Sequence, residues 1–362
     1  MLGLLTMQRL VALLGSRALE AAPAALPPEF AAAVDRARAA ARARGLALEG
    51  LATHVAERLD GAGIRTLVLK GPPLARRLHG DEGLRDTNDL DLLVDPARID
   101  EAVAIACRLG YRAEPVDPGA RADGRPDLHY TLRDPAGRLT RIELHWRIDW
   151  YEDEFSRELL DRSAPASAGL REPRPEDDLA ALLLFYARDG LFGLRAPADL
   201  AAWWDRYGED AGTFVLARHW ERHPALRRAL VAAVLAAEHV ARLPAERLLP
   251  PSARPTRRTR IAVALASPSG AGDPDQLAAN AALVDHLLTP AGGQGAALRR
   301  HVLLPPQRIE SAYRLPPDAS VRRAAWRLLH PPKIALRYVL GLAGAMGRDA
   351  SKRPAPAPKT TR

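Results

Sequence analysis

Between residues 85 and 94 the chain reads Arg-Asp-Thr-Asn-Asp-Leu-Asp-Leu-Leu-Val, and its alternation of acid and leucine constrains the fold more than any other segment. Side chains two positions apart on a strand share a face. Asp89 and Asp91 therefore project to one side, while Leu90 and Leu92 point into packing. The apolar run Arg65-Thr-Leu-Val-Leu-Lys70 precedes this segment and ends at Gly71, the residue type suited to a tight turn. The pattern predicts a buried strand bearing two carboxylates just beyond a glycine turn. Two uncompensated carboxylates at that spacing repel, and a divalent cation would relieve the repulsion through their hard oxygens. Magnesium is the expected ion.

A third acid normally completes such a site, and Glu143 in Arg141-Ile-Glu-Leu-His-Trp146 is the candidate. That segment also alternates, placing Glu143 and His145 on one face. His129, in Asp127-Leu-His-Tyr-Thr-Leu132, stands on another predicted strand. Each histidine reads either as a site residue or as a hydrogen-bonded structural group. Asp134-Pro-Ala-Gly137 fits a hairpin turn between strands at 127–133 and 138–146. Lys70, Arg76 and Arg85 are the cations available to a bound phosphate. Surface solvation for Arg76 and a structural ion pair for Lys70 or Arg85 are the competing roles.

These motifs resemble the polymerase-beta-like nucleotidyltransferase superfamily, and more closely the bacterial family of uncharacterised nucleotidyltransferases. Lys70, Gly71, Arg85, Asp89, Asp91, Glu143, His145 and Trp146 occupy the positions that carry the resemblance. It spans about residues 30–340, with specific motifs in 65–150. It implies an α+β fold: a small mixed-sheet nucleotidyltransferase core flanked by helices, with a largely helical C-terminal region. It further implies a nucleoside triphosphate donor, ATP being expected, and pyrophosphate as leaving group. Asp89, Asp91 and Glu143 would be the catalytic and Mg2+-binding acids. Lys70, Gly71, Arg76, Arg85, His129 and His145 would line the nucleotide.

Two departures from the family pattern bear on function. Pro72 and Pro73 follow the turn glycine where relatives often carry Gly or Ser. Proline has no N–H to offer a phosphate, although it suits the first turn of the helix predicted over Leu74 to Leu78. Phe185, Tyr186 and Arg188 stand where the family's histidine-rich part is expected, whereas Arg195 and Asp199 match its later Arg and Asp. The leading expectation is nucleotidyl transfer to a hydroxyl or phosphate of a small molecule, peptide or protein. The alternatives are a catalytically inactive nucleotide- or peptide-binding module, or a transferase acting on RNA.

The organisation predicted from pattern and breakers is an N-terminal helical region over 1–60, the nucleotidyltransferase core over 61–170, a helical acceptor-side region over 171–346 and a disordered basic tail over 347–362. Helices are expected at Gln8 to Leu19, Phe30 to Leu46, Ile99 to Leu109 and Lys333 to Met346. Internal packing is expected for the last of these, as for Trp203 and Cys107, while Trp204 is a possible exposed stacking platform. With 362 residues and 47% apolar content, a sizeable core forms without disulfides, since Cys107 is the sole cysteine. The net charge of +8 permits nucleotide, nucleic acid or anionic membrane as partners without selecting one. The opening segment lacks a basic leader, and no apolar run reaches spanning length. A cytoplasmic protein without stable membrane insertion is the expectation.

Overall fold

A computed structural model describes residues 2–116, 128–134, 141–167, 169–266, 273–316 and 318–351. Its centre is a mixed sheet of seven short strands: β1 (Thr66–Val68), β2 (Asp89–Val94), β3 (Arg112–Ala113), β4 (His129–Arg133), β5 (Arg141–His145), β6 (Ala164–Pro165) and β7 (Leu170–Glu172). They lie in the order β3-β4-β5-β2-β1-β7-β6. β2 runs antiparallel to β1 but parallel to β5, and β4 runs antiparallel to β5. Helices surround the sheet, and the chain from Ala217 to Ser351 is mostly helical. The α+β architecture expected from the sequence is the one observed. The hairpin residues 135–140 fall outside the described residues.

The period-two pattern divides the sheet into two unlike faces. Leu90, Leu92, Leu132, Ile142 and Leu144 are fully buried on one of them. They pack with Leu48, Ala52, Val55, Ala56 and Leu59 of the helix Pro28–Asp60, and with Ile99, Ala102, Ile105 and Ala106 of the helix Ile99–Arg108. Leu67, Leu69 and Leu93 lie on the other face, in a second core with Ile148, Phe155 and the helix Pro175–Arg188. That helix is buried at every position from Asp177 to Ala187. The acidic positions of β2 thus look toward the helical half of the molecule.

Several predicted elements change in extent. The helix foreseen to end at Leu46 continues to Asp60, because Ala41, Gly45, Leu48, Ala52, Val55, Ala56 and Leu59 keep a buried stripe at helical spacing. The helix Ser320–Ser351 runs past the expected tail boundary at 347. Its packing is one-sided: Ala345 is buried, whereas Leu328, Leu336, Val339, Leu340 and Met346 are exposed. Cys107 is also exposed rather than packed, since the sheet-facing positions of its helix are Ile99, Ala102, Ile105 and Ala106. Trp203 is buried as expected, its indole N–H donating to the Pro175 carbonyl at 2.9 Å. Trp204 is half-buried beneath the Arg247 guanidinium, 4.7 Å from the ring centroid. Among the described residues no helix is long and apolar enough to cross a membrane.

Gly71 joins β1 to the helix Pro72–His79 with φ 101° and ψ −154°, a conformation reserved for glycine. Pro72 and Pro73 occupy the first helical turn, where a missing N–H costs nothing. A Cβ at position 71 would meet no atom within 4 Å. Gly71→Ala should therefore lower unfolding free energy through backbone strain alone, by about 1–3 kcal/mol, measured by denaturant melts. A neutral substitution would show that the turn relaxes.

Candidate active site

Strand register builds the site. β2 and β5 pair in parallel with Asp89 opposite Arg141, Asp91 opposite Glu143 and Leu93 opposite His145. β4 adds His129 opposite His145. Paired residues on adjacent strands share a face, so Asp89, Asp91, Glu143, His145 and His129 lie together on the face toward the helical region. β1 reaches the same place: the Leu69 N–H donates to the Asp91 carbonyl at 3.0 Å, and Lys70 follows.

The carboxylates are not uncompensated, contrary to the expectation from spacing alone. Arg141 bridges two of them, its Nη2 3.0 Å from Asp89 Oδ2 and its Nε 3.1 Å from Glu143 Oε1. Lys70 Nζ lies 4.0 Å from Asp91 Oδ2 and 3.6 Å from the centroid of the Phe185 ring. His145 Nε2 is 3.1 Å from Asp91 Oδ1 and 3.5 Å from Glu143 Oε2, while His129 Nε2 is also 3.5 Å from Glu143 Oε2. The physical reason is location. Asp91 and Glu143 are buried, and carboxylates taken out of water need a counter-charge to stay ionised.

These surroundings fix the protonation states. Burial works to raise Asp91, but the Lys70 charge and the His145 hydrogen bond outweigh it and hold the carboxyl far below its usual range. Burial likewise opposes ionisation of Glu143, yet bonding to His145 and the nearby His129 bring it down to about 2. Burial lowers His129 to about 3, assisted by repulsion from His145 and resisted by Glu143. His129 is therefore neutral near pH 7. His145 moves the other way: burial lowers it, and its bonds to Asp91 and Glu143 more than restore it.

Other predicted site residues are placed differently. Arg76 points outward and pairs with Glu49. Arg85 is buried, with its Nε 3.0 Å from Asp199 Oδ2, and His79 Nε2 is 3.1 Å from the other oxygen of the same carboxylate. Burial raises Asp199, but the Arg85 charge and the His79 bond hold it well below the usual carboxylate range. Arg76 is thus an exposed residue in an ion pair with Glu49, and Arg85 sits in a buried ion pair with Asp199. Two cations were not singled out from the sequence. Arg141 was read only as the start of its strand. Arg188 was noted only as a departure, yet it lies 4.6 Å from the Phe185 ring centroid and its charge acts on Asp91, His129 and His145.

The donor set fits a divalent cation. Its carboxylates stay ionised, and ligand atoms of His129, Glu143 and His145 all lie within 4.8 Å of one another. Asp89 and Asp91 add carboxylate oxygens on the same face.

Two expectations follow. Glu143 titrates at 4.5 when free and about 2 in the fold, so its contribution to stability is complete above 4.5 and lost as pH falls toward 2. Denaturant melts across that window should show a shallower pH dependence for Glu143→Gln than for the wild type; parallel curves would contradict the assigned shift. Asp199→Ala should cost about 3–5 kcal/mol, because Arg85 is left buried without its counter-charge. A loss under about 1 kcal/mol, as for an exposed pair, would restore Arg85 to the candidates for phosphate contact.

A family model described as an uncharacterised nucleotidyltransferase matches residues 1–241 of the 362. No curated protein and no solved structure matches the chain.

Proposed function

This chain belongs to the uncharacterised nucleotidyltransferase family, part of the polymerase-beta-like superfamily, and on that premise we propose that it transfers a nucleotidyl group from a nucleoside triphosphate, ATP being the expected donor, to a hydroxyl or phosphate of a small molecule, peptide or protein. The observation that carries this reading is the pairing of Asp91 with Glu143 across β2 and β5, with Asp89 two residues before on the same face. In the transfer, the acceptor oxygen bonds to the α-phosphorus as the bond to the bridging oxygen breaks. Pyrophosphate leaves with the electron pair, and the acceptor proton passes to water.

Asp89, Asp91 and Glu143 would hold magnesium, which when bound supplies charge neutralisation at the triphosphate. Lys70, half-buried beside Asp91 and Phe185, would meet phosphate oxygens at the edge of the acidic face. Glu143, held to about 2, is a weak proton acceptor. Its role is better served by staying charged and orienting the acceptor side than by taking the proton.

One observation favours a second reading, an inactive nucleotide- or peptide-binding module. Pro72 and Pro73 remove two N–H groups from the helix start after Gly71, so phosphate recognition falls to side chains. Labelling separates the two readings. Triphosphates labelled at the α-phosphate, incubated with the protein, magnesium and a cell extract as acceptor source, should yield a labelled product. Asp89→Asn and Asp91→Asn should each reduce it by at least about 100-fold, the scale of losing one major electrostatic contributor. Equal labelling by wild type and both variants would remove the acids from catalysis.

A further inference from the structure

Magnesium accounts for the carboxylates on the sheet face but not for the imidazoles beside them. His129 Nε2 and His145 Nε2 each lie 3.5 Å from the same atom, Glu143 Oε2. The other oxygen of Glu143 is engaged separately by Arg141 at 3.1 Å. Asp91 Oδ1 lies 3.1 Å from His145 Nε2 but outside the group of ligand atoms that all lie within 4.8 Å of one another. Separations of 3.5 Å are long for hydrogen bonds, yet they recur about one carboxylate oxygen.

They match the edge of a metal coordination tetrahedron. Ligand atoms about 2.0–2.2 Å from zinc stand about 3.3–3.6 Å apart in tetrahedral geometry. Around octahedral magnesium, at about 2.0–2.1 Å, neighbouring oxygens are only about 2.9 Å apart. Ligand chemistry points the same way, because imidazole suits zinc and its neighbours whereas magnesium takes oxygen. The rings are also aimed inward. Among the described residues Nδ1 of both His129 and His145 is buried without a hydrogen-bond partner, and it is the Nε2 edge of each ring that meets the Glu143 carboxylate. Ring packing holds them there: the two imidazole centroids are 4.6 Å apart, and Phe185 meets His145 edge-on at 6.0 Å.

We infer that His129, His145 and Glu143 form a three-residue site for a zinc-class transition metal, its fourth position left to water or substrate, distinct in chemistry from the magnesium that accompanies a triphosphate. This site goes beyond the transferase reading, since the ion binds without nucleotide. His129 is the one partly exposed ligand and marks the side from which the ion enters.

The test uses the untagged full chain, stripped with chelator and titrated calorimetrically with Zn2+ and separately with Mg2+. One Zn2+ should bind per chain, at least roughly 100-fold more tightly than Mg2+. His129→Ala should weaken Zn2+ by more than the 10–100-fold typical of losing only an outer partner of a metal ligand. If that variant fails to fold by circular dichroism, His129→Gln serves in its place. Co2+ added to the wild type provides a readout free of any variant: strong visible absorption reports four-coordination. Weak six-coordinate bands, equal affinity for Mg2+ and Zn2+, or Zn2+ binding untouched by the His129 substitutions would each overturn the site. Magnesium-dependent nucleotide binding is measured in parallel. Its absence alongside intact Zn2+ binding would sink the transferase reading and leave the metal site standing.

Discussion

Burying acids beside one another is the constraint on which this structure depends. Parallel pairing of β2 with β5 puts Asp91 opposite Glu143, and both are withdrawn from water. Such an arrangement persists only if cations converge on it. They come from four directions: Lys70 after β1, Arg141 at the start of β5, His145 within β5 and Arg188 at the end of the helix Pro175–Arg188. The last contribution explains why the helical half is part of the site. Phe185, one helical turn before Arg188, lies under the Lys70 ammonium and against the His145 ring. Charge balance and packing are therefore settled by the same residues.

A site neutralised this way is poised for exchange of cations. Arg141 is exposed and bridges Asp89 and Glu143, so movement of its side chain would release both together. Asp91 and Glu143 resist protonation, and His129 resists gaining a proton. Near pH 7 the face therefore offers anionic oxygens, the donors magnesium takes, and at least one neutral imidazole nitrogen, a donor suited to softer transition metals.

Much of this was legible in the sequence, for a local reason. A period of two assigns faces without knowledge of partners, which is why Asp89 and Asp91 could be separated from Leu90 and Leu92, and Glu143 grouped with His145. The pairing of those faces is non-local. Arg141 belonged to a segment read for its glutamate, and only the register with β2 reveals that it answers Asp89 as well. Arg85 finds its counter-charge at Asp199, 114 residues along the chain, beyond the reach of any spacing rule. Helix extent failed for a different reason. Past Leu46 the buried stripe is built from Leu48, Ala52, Val55, Ala56 and Leu59, and its continuity shows only against the sheet it covers. Cys107 was misplaced because its small size suited packing, while the face of its helix was set by Ile99, Ala102, Ile105 and Ala106.

The central claim is that Asp89 and Asp91 serve a metal-accompanied triphosphate rather than the fold alone. Calorimetric titration with each nucleoside triphosphate, with and without magnesium, tests it most directly when wild type is compared with the Asp89→Asn/Asp91→Asn double substitution. One triphosphate should bind the wild type only when magnesium is present, and should not bind the folded double variant. Failure of every triphosphate to bind the folded wild type, or equal binding by the double variant, would contradict it.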